Sequence, residues 1–311
     1  MALAVGEFDV HFTSKRRGII GRDRGLWQRQ FTRLVAAAEL WLISPVERNW
    51  FTRIPLIAGI CLLPVGCATV PETGRTQVNF ISTTYEFSLG KGVFADVKKQ
   101  YPTSRDTNAI ALVTKVGRRI ASVANLPRAE WEFVLFESSE VNAFCLPGGK
   151  IGVFTGILKL TKDEAGLAAV LGHEVAHAVA HHGAERMSQG ILIGFAGAAA
   201  EAAISKRASS RTAATAAAAF GIGMLIGIEL PHSRANESEA DRIGLLYMAR
   251  AGYDPEEAVN FWQRMAAQEK GGKSGPWFLR THPVGEQRIE DLKKWIPEAK
   301  LQYRPRADEV K

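Results

Sequence analysis

The sequence predicts an α+β fold, mostly helical with one small group of strands. Three observations carry this. A helix-period run begins at Asp106, a period-two run at Trp131 leads into two short apolar stretches around Pro147-Gly148-Gly149, and a long Ala/Val/Leu helix holds His173-Glu174-Val175-Ala176-His177. With 311 residues, 46% hydrophobic and 23% charged, the chain has the composition of a globular protein with a real core. Of the net charge of +7, residues 1–66 supply nine Lys/Arg against five Asp/Glu, so +4 lies there and only +3 in the rest. No basic face interleaved with aromatics is present, which argues against nucleic acid as a partner. Three cysteines make no disulfide framework. Cys145 reads as a small buried apolar residue.

Taken in order, residues 1–45 are Arg-rich and patternless, and an apolar run from Ile54 to Gly66 then ends in Leu63-Pro64-Val65-Gly66-Cys67-Ala68. A basic flank, a short apolar run and a small residue before a cysteine make a secretory signal, and this one resembles a bacterial lipoprotein signal with Cys67 as the lipidated residue. Pro64 stands where such signals usually have Leu. The alternative is an ordinary signal peptide or a buried apolar segment. Because the signal starts so late, translation is expected to begin near Val46, and residues 1–66 to form an N-terminal extension plus signal. A lipid on Cys67 would tether the protein to a periplasm-facing membrane, and the uncharged Ala68 favours the outer one. Residues 67–105 read as an extended tether followed by an amphipathic helix over 86–101, and residues 106–311 as the main domain.

From Asp106, Ile110, Val113, Val116, Ile120 and Val123 recur at helical steps, predicting one buried face. The runs 141–146 and 150–155 predict a hairpin that leads into the metal helix. Endopeptidases commonly bind substrate as an added strand, so Asn142, Ala143 and Phe144 are candidates for a substrate-aligning edge. The alternative is a plain core hairpin.

Thr161 followed by Glu164 forms a capping box and Gly183 a stop, predicting a helix over 162–182. Two imidazoles four residues apart lie on one helical face, so His173 and His177 can reach one metal while Glu174 points into the same space. Polar groups in the middle of such a helix are costly to bury unless paired or metal-bound. The alternative is a satisfied core histidine pair. With one Zn2+ per chain, a water would be acidified to a pKa of about 7, and Glu174 would act as general base and later as proton donor to the leaving amine. His181 lies two turns, about 12 Å, beyond His173, so it and His182 read as helix-end residues favoured by the dipole. Ala180 and Gly183 stand where the longer H-E-x-x-H-x-x-G-x-x-H pattern needs Gly and His, which excludes that class.

A third ligand must come from elsewhere. Ser233 caps a new helix in which Glu237 and Asp241 share a face. Glu237 is a candidate third zinc ligand, and Asp241 a candidate to hold the free ring N–H of His173 or His177. The alternative is a pair of acidic residues serving the helix dipole. The Ala/Gly-rich residues 190–230 read as two packed helices over the site rather than a membrane span. Asp254 caps a further helix to Gln268, followed by a loop at 271–276. His282 is a candidate to reach the zinc or a developing oxyanion, with Arg288 pairing nearby carboxylates. A turn histidine before Pro283 is the alternative.

These motifs together resemble the HtpX and CAAX-prenyl-protease family of zinc metallopeptidases, in its periplasmic lipoprotein branch. The resemblance rests on Asn142-Ala143-Phe144-Cys145-Leu146-Pro147-Gly148-Gly149-Lys150, His173-Glu174-Val175-Ala176-His177, Glu237-Ser238-Glu239-Ala240-Asp241, and Thr281-His282-Pro283 with Arg288. It implies a zincin (gluzincin) fold with a small mixed sheet and an edge-strand hairpin beside the metal helix, and it makes Glu237, rather than Glu239, the ligand. It also implies proteolysis of unfolded or misassembled envelope proteins. The competing expectation is an envelope assembly factor or chaperone-like binding protein, with assembly-machinery partners and a closed or structural zinc site.

Overall fold

The computed structural model of the chain describes residues 66–205, 233–269 and 277–305. The signal-like run 54–65, the Arg-rich start, residues 206–232 of the Ala/Gly-rich stretch and the loop 271–276 lie outside them. Leu62–Lys311 form one compact unit.

The unit opens with an antiparallel hairpin, β1 (Cys67–Thr69) and β2 (Thr76–Val78), pairing Ala68 with Gln77. The expected extended tether is thus folded: Val70, at the end of β1, is wholly buried in the main core. Helix α1 (Thr83–Gln100) starts at Ser82, whose side chain accepts from the Tyr85 amide. Helix α2 (Thr107–Val123) starts at Asp106, which caps the amides of Asn108 and Ala109. Val113, Val116 and Ile120 form its buried stripe, whereas Ile110, in the first turn, is 36% exposed.

Strands β3 (Glu132–Phe136), β4 (Ala143–Leu146) and β5 (Lys150–Phe154) form a mixed sheet in the order β3-β5-β4. β5 is central, parallel to β3 and antiparallel to β4, and all five of its residues are buried. The turn between β4 and β5 uses Gly148 and Gly149 at φ near +80°, a region closed to most side chains. The period-two alternation divides the sheet's residues between two cores. Ala143, Ile151 and Val153 join the main core, while Phe136, Phe144, Leu146 and Phe154 pack with Phe94 of α1 in an aromatic cluster.

Short helix α3 (Thr155–Thr161) leads to the metal helix α4 (Glu164–Val179). Here the expected boundaries move at both ends. Thr161 belongs to α3, Lys162 breaks the chain at φ +68°, and Asp163 is the cap, accepting from the Gly166 amide. At the other end the chain turns at His181, φ +53°, and Gly183 lies inside the next helix, α5 (His182–Ser205).

Helix α6 (Arg234–Arg250) begins at Ser233 as the sequence predicts, with Ser233 Oγ accepting from the Asn236 amide. It crosses α4 almost backbone to backbone. A Cβ on Gly172 would stand 2.9 Å from the Gly244 carbonyl, and one on Gly244 3.0 Å from the His173 amide nitrogen. This close approach sets the α6 acidic residues against the α4 histidines. Helices α7 (Glu256–Glu269), α8 (Trp277–Thr281) and α9 (Glu286–Leu301) complete the unit. Among the described residues no helix is long and apolar enough to cross a membrane.

Candidate metal centre

Helical spacing puts His173 and His177 on the α4 face that meets α6, with their Nε2 atoms 3.1 Å apart. Glu237, in the first turn of α6, approaches both: its carboxylate lies 3.5 Å from His173 Nε2 and 3.2 Å from His177 Nε2. His282, just beyond α8, brings Nδ1 to 3.0 Å from Glu237 and 3.2 Å from His173 Nε2. Its ring packs on Phe278.

All four residues are buried, and their donor atoms lie within 4.8 Å of one another. Donors held tetrahedrally at zinc-ligand distances stand about 3.3 Å apart, so these imidazole and carboxylate atoms fit a zinc-sized ion.

The partners of the rings support that fit. Asp241 Oδ1 lies 2.9 Å from His173 Nδ1, which places the ring proton there and turns the Nε2 lone pair toward the cluster. Burial opposes charge on His173, but hydrogen bonds to Asp241 and Glu237 outweigh it and raise its pKa to about 9. Glu237 is held well below the usual carboxylate range; burial alone would raise it, and His282, Arg288 and His173 reverse the sign. Glu237 is thus an ionised carboxylate within the buried cluster, facing the imidazoles of His173 and His177.

Arg288 of α9 clamps the acidic side. It donates to Asp241 through Nε at 2.7 Å and Nη2 at 2.8 Å, and its Nη1 lies 3.0 Å from Glu237. Its guanidinium sits 3.6 Å over the Trp262 ring. Trp262 gives no sign of this role in the sequence, because its helical spacing reads only as core.

Glu174 projects from the same helix into the cluster. Burial raises its pKa, Glu237 adding to the effect while His282 and His173 oppose it. Its Oε1 is buried without a hydrogen bond, 3.2 Å from His282 Nε2 but out of alignment. The Cys145 backbone N–H donates to its carboxylate, tying it to β4. β4 ends the sheet, with one edge on β5. Of the three candidate aligning residues, Ala143 faces the core around α4, Phe144 turns its side chain into the aromatic cluster, and Asn142 lies buried just before the strand. None of these three side chains, therefore, is exposed to an added strand. Cys67 is exposed in β1.

The family model for peptidase family M48 matches residues 110–296. The chain belongs to that family. It is a metallopeptidase, with His173, His177 and Glu237 as its possible metal-binding group. The chain is 36% identical over 237 residues to the mitochondrial metalloendopeptidase OMA1 of Schizosaccharomyces pombe, covering 75% of this chain and 67% of that one. It is 28% identical over 226 residues to the beta-barrel assembly-enhancing protease of Yersinia pestis and 26% identical over 228 to that of Escherichia coli. It spans 46% of the length of each of these two.

A second polar network lies where the sequence predicts only helix-end residues. His182 is not a solvated helix-end residue; it is fully buried with its Nδ1 2.8 Å from His177 Nδ1. Its Nε2 lies 3.0 Å from Glu239 Oε2. Glu239 also takes the Arg75 Nε at 2.7 Å and a short contact from Thr73. Burial would raise the Glu239 pKa, but these three donors bring it down to about 2. His181 pairs instead with Glu86 of α1, Nδ1 to Oε2 2.7 Å. The doublet His181-His182 was the available signal, but helix periodicity assigns it no partner.

Proposed function

We propose that this metallopeptidase is a zinc endopeptidase of the cell envelope that cleaves unfolded or misassembled proteins. In this reading His173, His177 and Glu237 hold the metal, Glu174 is the general base, and the backbone of Asn142, Ala143 and Phe144 aligns substrate. The observation that carries it is the Glu174 carboxylate, buried beside three converging ligands with one oxygen unspent. A purely structural site has no use for such a group.

A bound Zn2+ supplies Lewis-acid polarisation of a carbonyl and lowers the pKa of a water to about 7. Glu174 accepts the proton of the attacking water and passes it to the leaving amine. Its raised pKa suits both transfers, since a carboxylate at the ordinary value holds a proton too weakly to deliver it. Asp241 keeps His173 in the tautomer that presents Nε2, and Arg288 fixes Asp241 and Glu237. His282 stands against both Glu174 and Glu237, where it either donates to a developing oxyanion or fills the position that substrate needs. The second possibility favours a competing reading, an assembly factor whose centre is kept closed.

Placement in the envelope rests on the signal-like run before Cys67 and on relatives named for β-barrel assembly; the relatives named mitochondrial pull the other way. Lipid on Cys67 would anchor the protein, with the outer membrane favoured by Ala68. Two measurements test the proposal. The full chain should degrade unfolded casein, lose that activity to a chelator and regain it with one equivalent of Zn2+. Cys67→Ser should move the protein from the membrane fraction to the soluble envelope fraction. Zinc-loaded protein inert toward unfolded substrates, with His282→Ala equally inert, would favour the assembly-factor reading.

A further inference from the structure

The two histidines of α4 are oriented from opposite ends of the chain. His173 meets a carboxylate directly, whereas His177 meets another imidazole, and that imidazole must itself be oriented. Glu239 Oε2 lies 3.0 Å from His182 Nε2. A carboxylate only accepts, so the His182 proton sits on Nε2 and its Nδ1 is the acceptor. His177 Nδ1, 2.8 Å away, is then the donor, which leaves the His177 Nε2 lone pair directed at Glu237 and His173.

Glu239 is held in turn by the N-terminal hairpin. Arg75 Nε donates to Glu239 Oε2 at 2.7 Å, while its Nη1 and Nη2 grip Glu185 at 2.8 and 3.0 Å. Glu185 also accepts from Asn236 at 3.2 Å, so Arg75 ties the first turns of α5 and α6 together. The hairpin is locked at a second point, where Gln77 Nε2 donates to the Ala180 carbonyl at the end of α4 at 2.8 Å. Gln77, His182, Glu185 and Glu239 are all buried, so the chain of contacts runs in a low-dielectric environment where a misplaced partner is costly.

We propose that the hairpin at residues 67–78 is a working part of the metal centre, in which Arg75 and Glu239 fix His182 and His182 sets the metal-binding tautomer of His177. Arg75, Glu239 and His182 are positioning residues. The proposal rests on the reading of His173, His177 and Glu237 as metal ligands. It adds that a segment outside the stretch matched by the family model sets the metal affinity of the site. A chain beginning after the hairpin would keep every ligand and still bind metal poorly.

The test uses the full chain and three readouts: zinc affinity by chelator competition, the visible spectrum of the cobalt-substituted protein, and the melting temperature of the metal-free form. Glu239→Gln, His182→Ala and Arg75→Gln are expected to weaken zinc binding about 10- to 100-fold and to alter the cobalt bands. His181→Ala, one residue from the relay but paired with Glu86, should leave both within twofold and unchanged. Arg75 keeps the test decisive if the buried variants fail to fold, because its side chain is 30% exposed and its replacement opens no core. Wild-type zinc affinity and cobalt spectrum in folded Arg75→Gln would overturn the proposal. Equal weakening by His181→Ala would overturn it too, since any disturbance of the turn would then suffice. Failure of the ligand reading looks different: the wild-type chain would bind zinc no better than His177→Ala.

Discussion

His173 and His177 sit one turn apart on the same helix, yet the protein secures them in two different ways. The His173 arm is short and C-terminal: Asp241 touches the ring, and Arg288, stacked on Trp262, clamps Asp241. The His177 arm is longer and reaches the chain's N-terminal hairpin through His182, Glu239 and Arg75. A direct carboxylate needs only the right helical spacing, since Glu237 and Asp241 are one turn apart on α6. An imidazole partner needs an anchor of its own, and here that anchor, Glu239, is held by Arg75, 164 residues before it in sequence.

Cutting the first arm should have the largest effect on stability. Asp241→Ala strips Arg288 of its bidentate partner in a buried site, and we expect a loss of about 3 kcal/mol or more in chemical denaturation. If the cost is instead below that of Arg75→Gln, the two arms are ranked wrongly. Gly244→Ala should disturb both arms together. The added methyl meets the His173 backbone at 3.0 Å, forcing α4 and α6 apart at a cost of about 1–3 kcal/mol and weakening zinc binding. Unchanged metal affinity in that variant would show that the helix crossing does not set the centre.

The smallest effect sharpens the distinction between His182 and its neighbour. The hydrogen bond from Glu86 raises the His181 pKa, with burial opposing it, so protonation of His181 favours the folded state. That stabilisation is complete below the ordinary histidine pKa of about 6.5 and is lost as pH rises through the higher folded value. Glu86→Gln should therefore be about 1–2 kcal/mol less stable than wild type at pH 6, with the gap narrowing as pH rises through the folded value. A gap that does not depend on pH would remove the ion pair from the account.

What could be read in the sequence follows the reach of its local signals. The His173–Glu174–His177 spacing, the Ser233 cap and the one-turn separation of Glu237 and Asp241 are consequences of helical geometry, and all appear where periodicity places them. The start of α4 departs from the sequence expectation because Thr161 and Glu164 satisfy a capping pattern that Asp163 takes over once Lys162 adopts φ +68°. The sequence pattern puts Phe144 on β4, but the side on which an edge residue packs is fixed by Phe94 on another helix. Arg75 and Trp262 carry no motif, because each gains its role only when the hairpin or α7 docks against the centre.

The central claim is that Glu174 activates water beside an intact metal site, and one comparison tests it most directly. Zinc content and casein turnover are measured on wild type and Glu174→Gln in the same preparation. The account predicts one zinc retained per chain in both proteins, with turnover in the variant reduced at least about 100-fold. A variant that keeps its zinc and still cleaves casein at the wild-type rate would contradict it.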